Sequence, residues 1–161
     1  MRLSPRSLLL VLIAAFALGA TDRAFAQSPQ RPVVELHVDA VLASDTNQGM
    51  DKRLAWMGHQ LQGLFGFSTY HLETHEDGQT ECGKMMTFAL PGGHILHVQP
   101  RAIDGNMIAM ELVLFEGARP MMTTDLKLKN NGRLIVGGPR YQDGMLIISI
   151  GANTLTSNND E

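Results

Sequence analysis

The chain has 161 residues, with 13 Lys and Arg against 16 Asp and Glu, a net charge of −3, and a single cysteine, Cys82. That length suits one domain with a real core. The acidic balance argues against nucleic acid or an anionic membrane surface as a partner, and one cysteine excludes an internal disulfide framework.

Arg2 and Arg6 precede an unbroken apolar run from Leu8 to Leu18, followed by Ala24-Phe25-Ala26. This is the pattern of a cleaved export signal. An apolar stretch of about 11 residues is too short to remain as an anchor, since a spanning helix needs roughly 20. Residues 1–26 carry three basic side chains and one acid, so cleavage would leave ten basic against fifteen acidic groups. The expected product is periplasmic, with an extracellular destination as the alternative, and without a stable membrane anchor. Residues 27–32 read as a flexible linker, 33–151 as one β-rich domain, and 152–161 as a disordered tail.

Val34, Leu36, Val38, Ala40 and Leu42 alternate with Glu35, His37 and Asp39, the period of a strand with one buried face. Next, Leu54, Met57, Leu61, Leu64 and Phe65 recur at three and four residues behind Asp51, a suitable N-cap, and Gly63 and Gly66 bracket the end of this helix. From Phe67 to Thr74 the pattern is extended again, and HEDGQTE (75–81) reads as a solvated polar turn. Met86–Leu90 and His94–Pro100 flank Pro91-Gly92-Gly93 as a hairpin. Further strands follow over Ile108–Leu114, Met122–Leu128, Leu134–Val136 and Met145–Ile150, separated by turn residues. Gly137-Gly138-Pro139 and Gln142-Asp143-Gly144 flank what reads as an irregular loop. The expected fold is all-β, mainly antiparallel and sandwich- or barrel-like, with one short helix after the first strand.

Candidate chemistry is sparse. His37, His59, His71, His75, His94 and His97 lack zinc-site spacing; His71 and His75, on one face of a strand, would stand about 13 Å apart. Met85, Met86, Met121 and Met122 could offer thioether ligands to copper(I), although Met86 and Met122 share the parity of core residues. No G-x-S-x-G or phosphate loop is present, and the expectation is a protein that is not an enzyme and carries no cofactor.

Gly132-Arg133-Leu134-Ile135-Val136-Gly137-Gly138 resembles the glycine-bounded strand of the secretin C-terminal domain. Pro139 departs from that pattern, and the chain is far too short for an outer-membrane pore. Over Val34–Ile150 the order of a V-E-L strand, the helix ending near Phe65, Leu90-Pro91-Gly92-Gly93, and Val136-Gly137-Gly138-Pro139-Arg140-Tyr141-x-Asp143-Gly144 resembles small exported bacterial proteins of unassigned function. The resemblance implies a compartment and a fold, and singles out Gly137, Gly138, Pro139, Arg140, Tyr141, Asp143 and Gly144 as a binding loop. The expectation is therefore a binding or accessory module that contacts another envelope or secretion-system protein, with soft-metal binding as the alternative.

Overall fold

The computed structural model describes residues 31–155; the expected export signal, most of the expected linker and residues 156–161 lie outside the described residues. Nine strands run in chain order: β1 (Val33–Ser44), β2 (Gly49–Met50), β3 (Thr69–Glu81), β4 (Met86–Leu90), β5 (His94–Asp104), β6 (Met107–Glu116), β7 (Arg119–Lys129), β8 (Gly132–Tyr141) and β9 (Gly144–Leu155). A 3-10 turn, Lys52–Met57, leads into the helix α1, Gly58–Phe65. The strands form a five-stranded sheet in the order β2-β3-β1-β9-β8 and a four-stranded sheet in the order β4-β5-β6-β7. One of the two is curled into a half-barrel. All pairings are antiparallel except the short β2–β3 pair.

Alternation accounts for the main core. Val34, Leu36, Val38 and Ala40 of β1, with Leu146, Ile148, Ile150 and Ala152 of β9, pack on Phe88, Leu96, Val98, Ile108, Met110, Leu112 and Leu114 from the other sheet. Side chains facing in from both sheets thus exclude water between them.

The opposite face of the five-stranded sheet is divided. At one end Leu54, Met57 and Leu61 of the helical segment bury Val41, Ala43, Tyr70, Leu72 and Ile147, so the later half of β1 is covered on both faces. The Asp51 carboxylate caps the segment by accepting the Arg53 N–H at 3.0 Å. Gly66, at φ 69°, ends it and donates its N–H to Gln62 O. This left-handed angle favours glycine; Gly63 lies inside the helix instead of bracketing its end. Tyr70 ties helix to sheet, its hydroxyl donating to Leu61 O at 3.0 Å and accepting from Phe67 N–H at 3.1 Å.

Three sequence expectations change. HEDGQTE is strand, because residues 75–81 of β3 pair with Val33–Asp39 of β1. Met86 fills the space above Gly78, where a Cβ would fall 1.8 Å from the methionine Cε. Residues 137–141 are the second half of β8, with a bulge between Gly137 and Arg140, and only Gln142 and Asp143 form the turn. Finally, β9 continues to Leu155 with Ala152 buried, so the domain extends past residue 151.

Candidate functional site

Beyond the reach of α1, the outer face of the five-stranded sheet would be open to water, and it carries polar side chains instead of an apolar layer. In the antiparallel register of β1 and β3, Asp39 lies opposite His75 and His37 opposite Asp77. Two His-x-Asp pairs running in opposite directions thus place each imidazole against a carboxylate.

The contacts join into one network across four strands. Asp39, with its side chain only 5% exposed, accepts from Arg133 Nη1 at 2.6 Å and from His75 Nδ1 at 2.6 Å. His75 Nε2 lies 3.2 Å from Asp77, and Asp77 lies 2.6 Å from His37 Nδ1. His37 Nε2 is 3.0 Å from Asn153 Oδ1, and the Asn153 amide donates to Glu35 at 2.9 Å. Arg133 also donates to the Ser149 hydroxyl at 3.0 Å. Burial of a carboxylate is tolerated here because cations and hydrogen bonds compensate it.

Gly151 makes room for Arg133. A Cβ there would sit 3.1 Å from Nη2 and 3.2 Å from Cζ, so the guanidinium lies flat over the glycine on its way to Asp39. The guanidinium also lies over the Trp56 ring, 4.4 Å from Cζ to the ring centroid.

The hydrogen bond from His75 to Asp39 raises the His75 pKa above its ordinary 6.5, and Asp77 contributes in the same direction. Hydrogen bonding from His37, then the charge of His75, holds Asp77 below the ordinary 3.8.

Beside this network, His59, Gln60, Gly63 and Leu64 of α1 and Arg133, Leu134 and Ile135 of β8 line a shallow groove of about 410 Å³. Trp56 and Leu64 are 58% and 63% exposed, the two most exposed large apolar side chains among the described residues.

Of the binding segment expected from sequence, Gly137 faces Phe65 and Gly138 lies close to Leu146 O. Arg140 is exposed, whereas Tyr141 packs partly into the main core and against Gly92. Gly144 approaches β1 so closely that a Cβ would lie 2.0 Å from Ala43 O. These residues form the end of an edge strand and its hairpin turn.

The four methionines are not brought together. Met86 is on β4 and Met122 on β7, at opposite edges of the four-stranded sheet and three strand spacings apart, about 14 Å. Buried Leu96 and Leu114 occupy the row between Phe88 and Met122, and Met85 and Met121 are exposed. The β3 bulge also separates His71 from His75: His71 pairs with Leu42 and His75 with Asp39, placing them on opposite faces. No three His, Cys, Asp or Glu side chains among the described residues are arranged to hold a metal ion.

In the sequence His37 and His75 lack zinc-site spacing, and nothing local marks Asp39, Asp77 and Arg133 as members of one cluster. The readable signal was the repetition of His-x-Asp at 37–39 and 75–77 on two segments able to pair. In comparisons with known proteins, no family model matches the chain and no curated protein aligns with it significantly.

Proposed function

We propose that this protein is an exported, non-enzymatic binding module whose contact element is the edge strand β8. Its partner would be an envelope or secretion-system protein that adds an extended segment to that edge. The compartment comes from the export pattern of residues 1–26 and from the resemblance to small exported proteins.

The observation that carries this reading is the contrast among the sheet edges. β2 has two residues and β4 has five, too short to template a strand. Because β2 pairs only with Thr69 and Tyr70, residues 71–81 of β3 are an edge as well, but they carry Glu73, Glu76, Asp77 and Glu81, charges that discourage edge pairing. β7 is long but carries Arg119, Pro120, Asp125, Lys127 and Lys129, features that discourage edge pairing. On β8, the only charged side chain from Gly132 to Val136 is Arg133, and it is turned inward onto Asp39. What borders the groove is Leu134 and Ile135, beside exposed Leu64 and Trp56. The bulge after Gly137 limits pairing to this first half of β8.

A photo-crosslinking residue placed at Gln60 or Leu64, and at Asp125 of β7 as control, tests the reading in exporting cells. The expected result is a discrete adduct from the α1 positions alone, abolished by Leu64→Lys when the crosslinker is at Gln60. Equal labelling from Asp125, or no adduct from α1, would remove β8 as the contact element.

A further inference from the structure

The network on the outer face has a property that its geometry imposes whatever binds at β8. We propose that it is an acid-tightened clamp, which docks residues 75–81 of β3 onto β1 while His75 is protonated and loosens as the pH rises.

Each of the two imidazoles meets acceptor oxygen at both nitrogens: His75 meets Asp39 and Asp77, and His37 meets Asp77 and Asn153 Oδ1. A neutral imidazole has one N–H and one lone pair, so it satisfies one acceptor and turns its lone pair on the other. With both rings neutral, four contacts share two protons, and two contacts become repulsive. The charge count agrees. Glu35, Asp39 and Asp77 bring three negative charges and Arg133 one positive, so two imidazolium rings make the cluster neutral and two imidazoles leave it at about −2.

Among the described residues, no other group packed against the network replaces those protons. β9 presents Ser149 and Asn153, both uncharged, and Arg133 is the cation from β8. On the 3-10 turn, Arg53 is held by Asp51 and donates to Leu72 O. On β3 itself Glu73 sits at the bulge, and Glu76 lies on the opposite face from His75.

Apart from its backbone ladder to β1 and the packing of Met86 over Gly78, the segment has few side-chain attachments. None of residues 75–81 is fully buried and no large apolar side chain lies among them, so the side-chain hydrogen bonds that join them to β1 are those of this network. His75 and Asp77 are each about half exposed, at 51% and 52%, which gives bulk protons direct access. The raised His75 pKa sets the sign: the stabilisation is complete below 6.5 and disappears as the pH rises through the higher folded value.

The test is thermal melting of the purified protein from pH 5.5 to 9, with site-resolved amide exchange corrected for the intrinsic effect of pH. The expected melting temperature falls by several degrees toward alkaline pH, and amides 75–81 lose protection before those of β9. His75→Gln, which keeps an amide donor but cannot titrate, flattens the fall, whereas His59→Gln leaves it unchanged. If His75→Gln does not fold, nitrogen NMR of the wild-type protein decides, with both nitrogens of His75 protonated at pH 6. A wild-type melting temperature flat or rising over this range, an undiminished fall in His75→Gln, or a neutral His75 tautomer at pH 6 would overturn the clamp.

Discussion

Asp39→Asn tests the centre of the outer-face network most directly, because it removes a charge without opening a cavity. Asp39 accepts one hydrogen bond from Arg133 and one from His75, both at 2.6 Å, from a side chain that is 5% exposed. Hydrogen bonds to charged groups contribute about 1.5–3 kcal/mol each. An asparagine keeps one acceptor but points its NH2 group at a second donor, so one bond is lost and the other loses its charge. Arg133 and His75 are partly exposed, at 26% and 51%, and water recovers part of their hydration. The expected loss is therefore toward the lower end for the pair, about 3 kcal/mol. For a domain of about 125 residues this lowers the melting temperature by roughly 10 °C. Urea denaturation followed by far-ultraviolet circular dichroism measures the loss, and the fluorescence of Trp56, the only tryptophan, reports on the released Arg133. A second arm with Arg133→Met closes a double-mutant cycle, with coupling of about 1 kcal/mol or more expected. A loss below about 1 kcal/mol, or no coupling, would refute the assignment of Asp39 as the hub.

Tyr70→Phe removes a hydroxyl that joins Leu61 O and Phe67 N–H in a buried setting, and is expected to cost about 1–3 kcal/mol in urea denaturation. Gly144→Ala places a methyl group 2.0 Å from the backbone oxygen of Ala43, where no side chain can move aside, so the β1–β9 ladder must shift. A loss of about 3 kcal/mol or failure to fold is expected, with the melting temperature as readout. Asp77 sets an acid limb: its lowered pKa contributes stability that is complete above 3.8 and is lost as the pH falls through the lower folded value. Asp77→Asn should remove this limb from acid-denaturation curves.

Much of the architecture was legible in the sequence, since alternation with period two marks β1, β5, β6 and β9 wherever one face is buried. Asp51 and Gly66 mark the helix because unpaired backbone groups at its ends need an acceptor and a left-handed residue. The second half of β3 escaped notice because His75–Glu81 has no apolar face; only the β1 backbone makes it a strand. Gly137-Gly138-Pro139 has turn composition, yet in an edge strand the proline's missing N–H goes unnoticed and a bulge absorbs the local irregularity. The candidate site was visible only as scattered polar residues.

The period of each strand, the ends of the helix and the all-β class follow from local spacing and backbone chemistry, which any stretch of the chain carries within itself. The tertiary structure alone decided which sheet each strand joined and that a bulge at Glu73 turns His71 and His75 to opposite faces. It also decided that Arg133, 94 residues from Asp39, lies against it. Such pairings depend on register between distant strands, and register is set by the packing of the whole core.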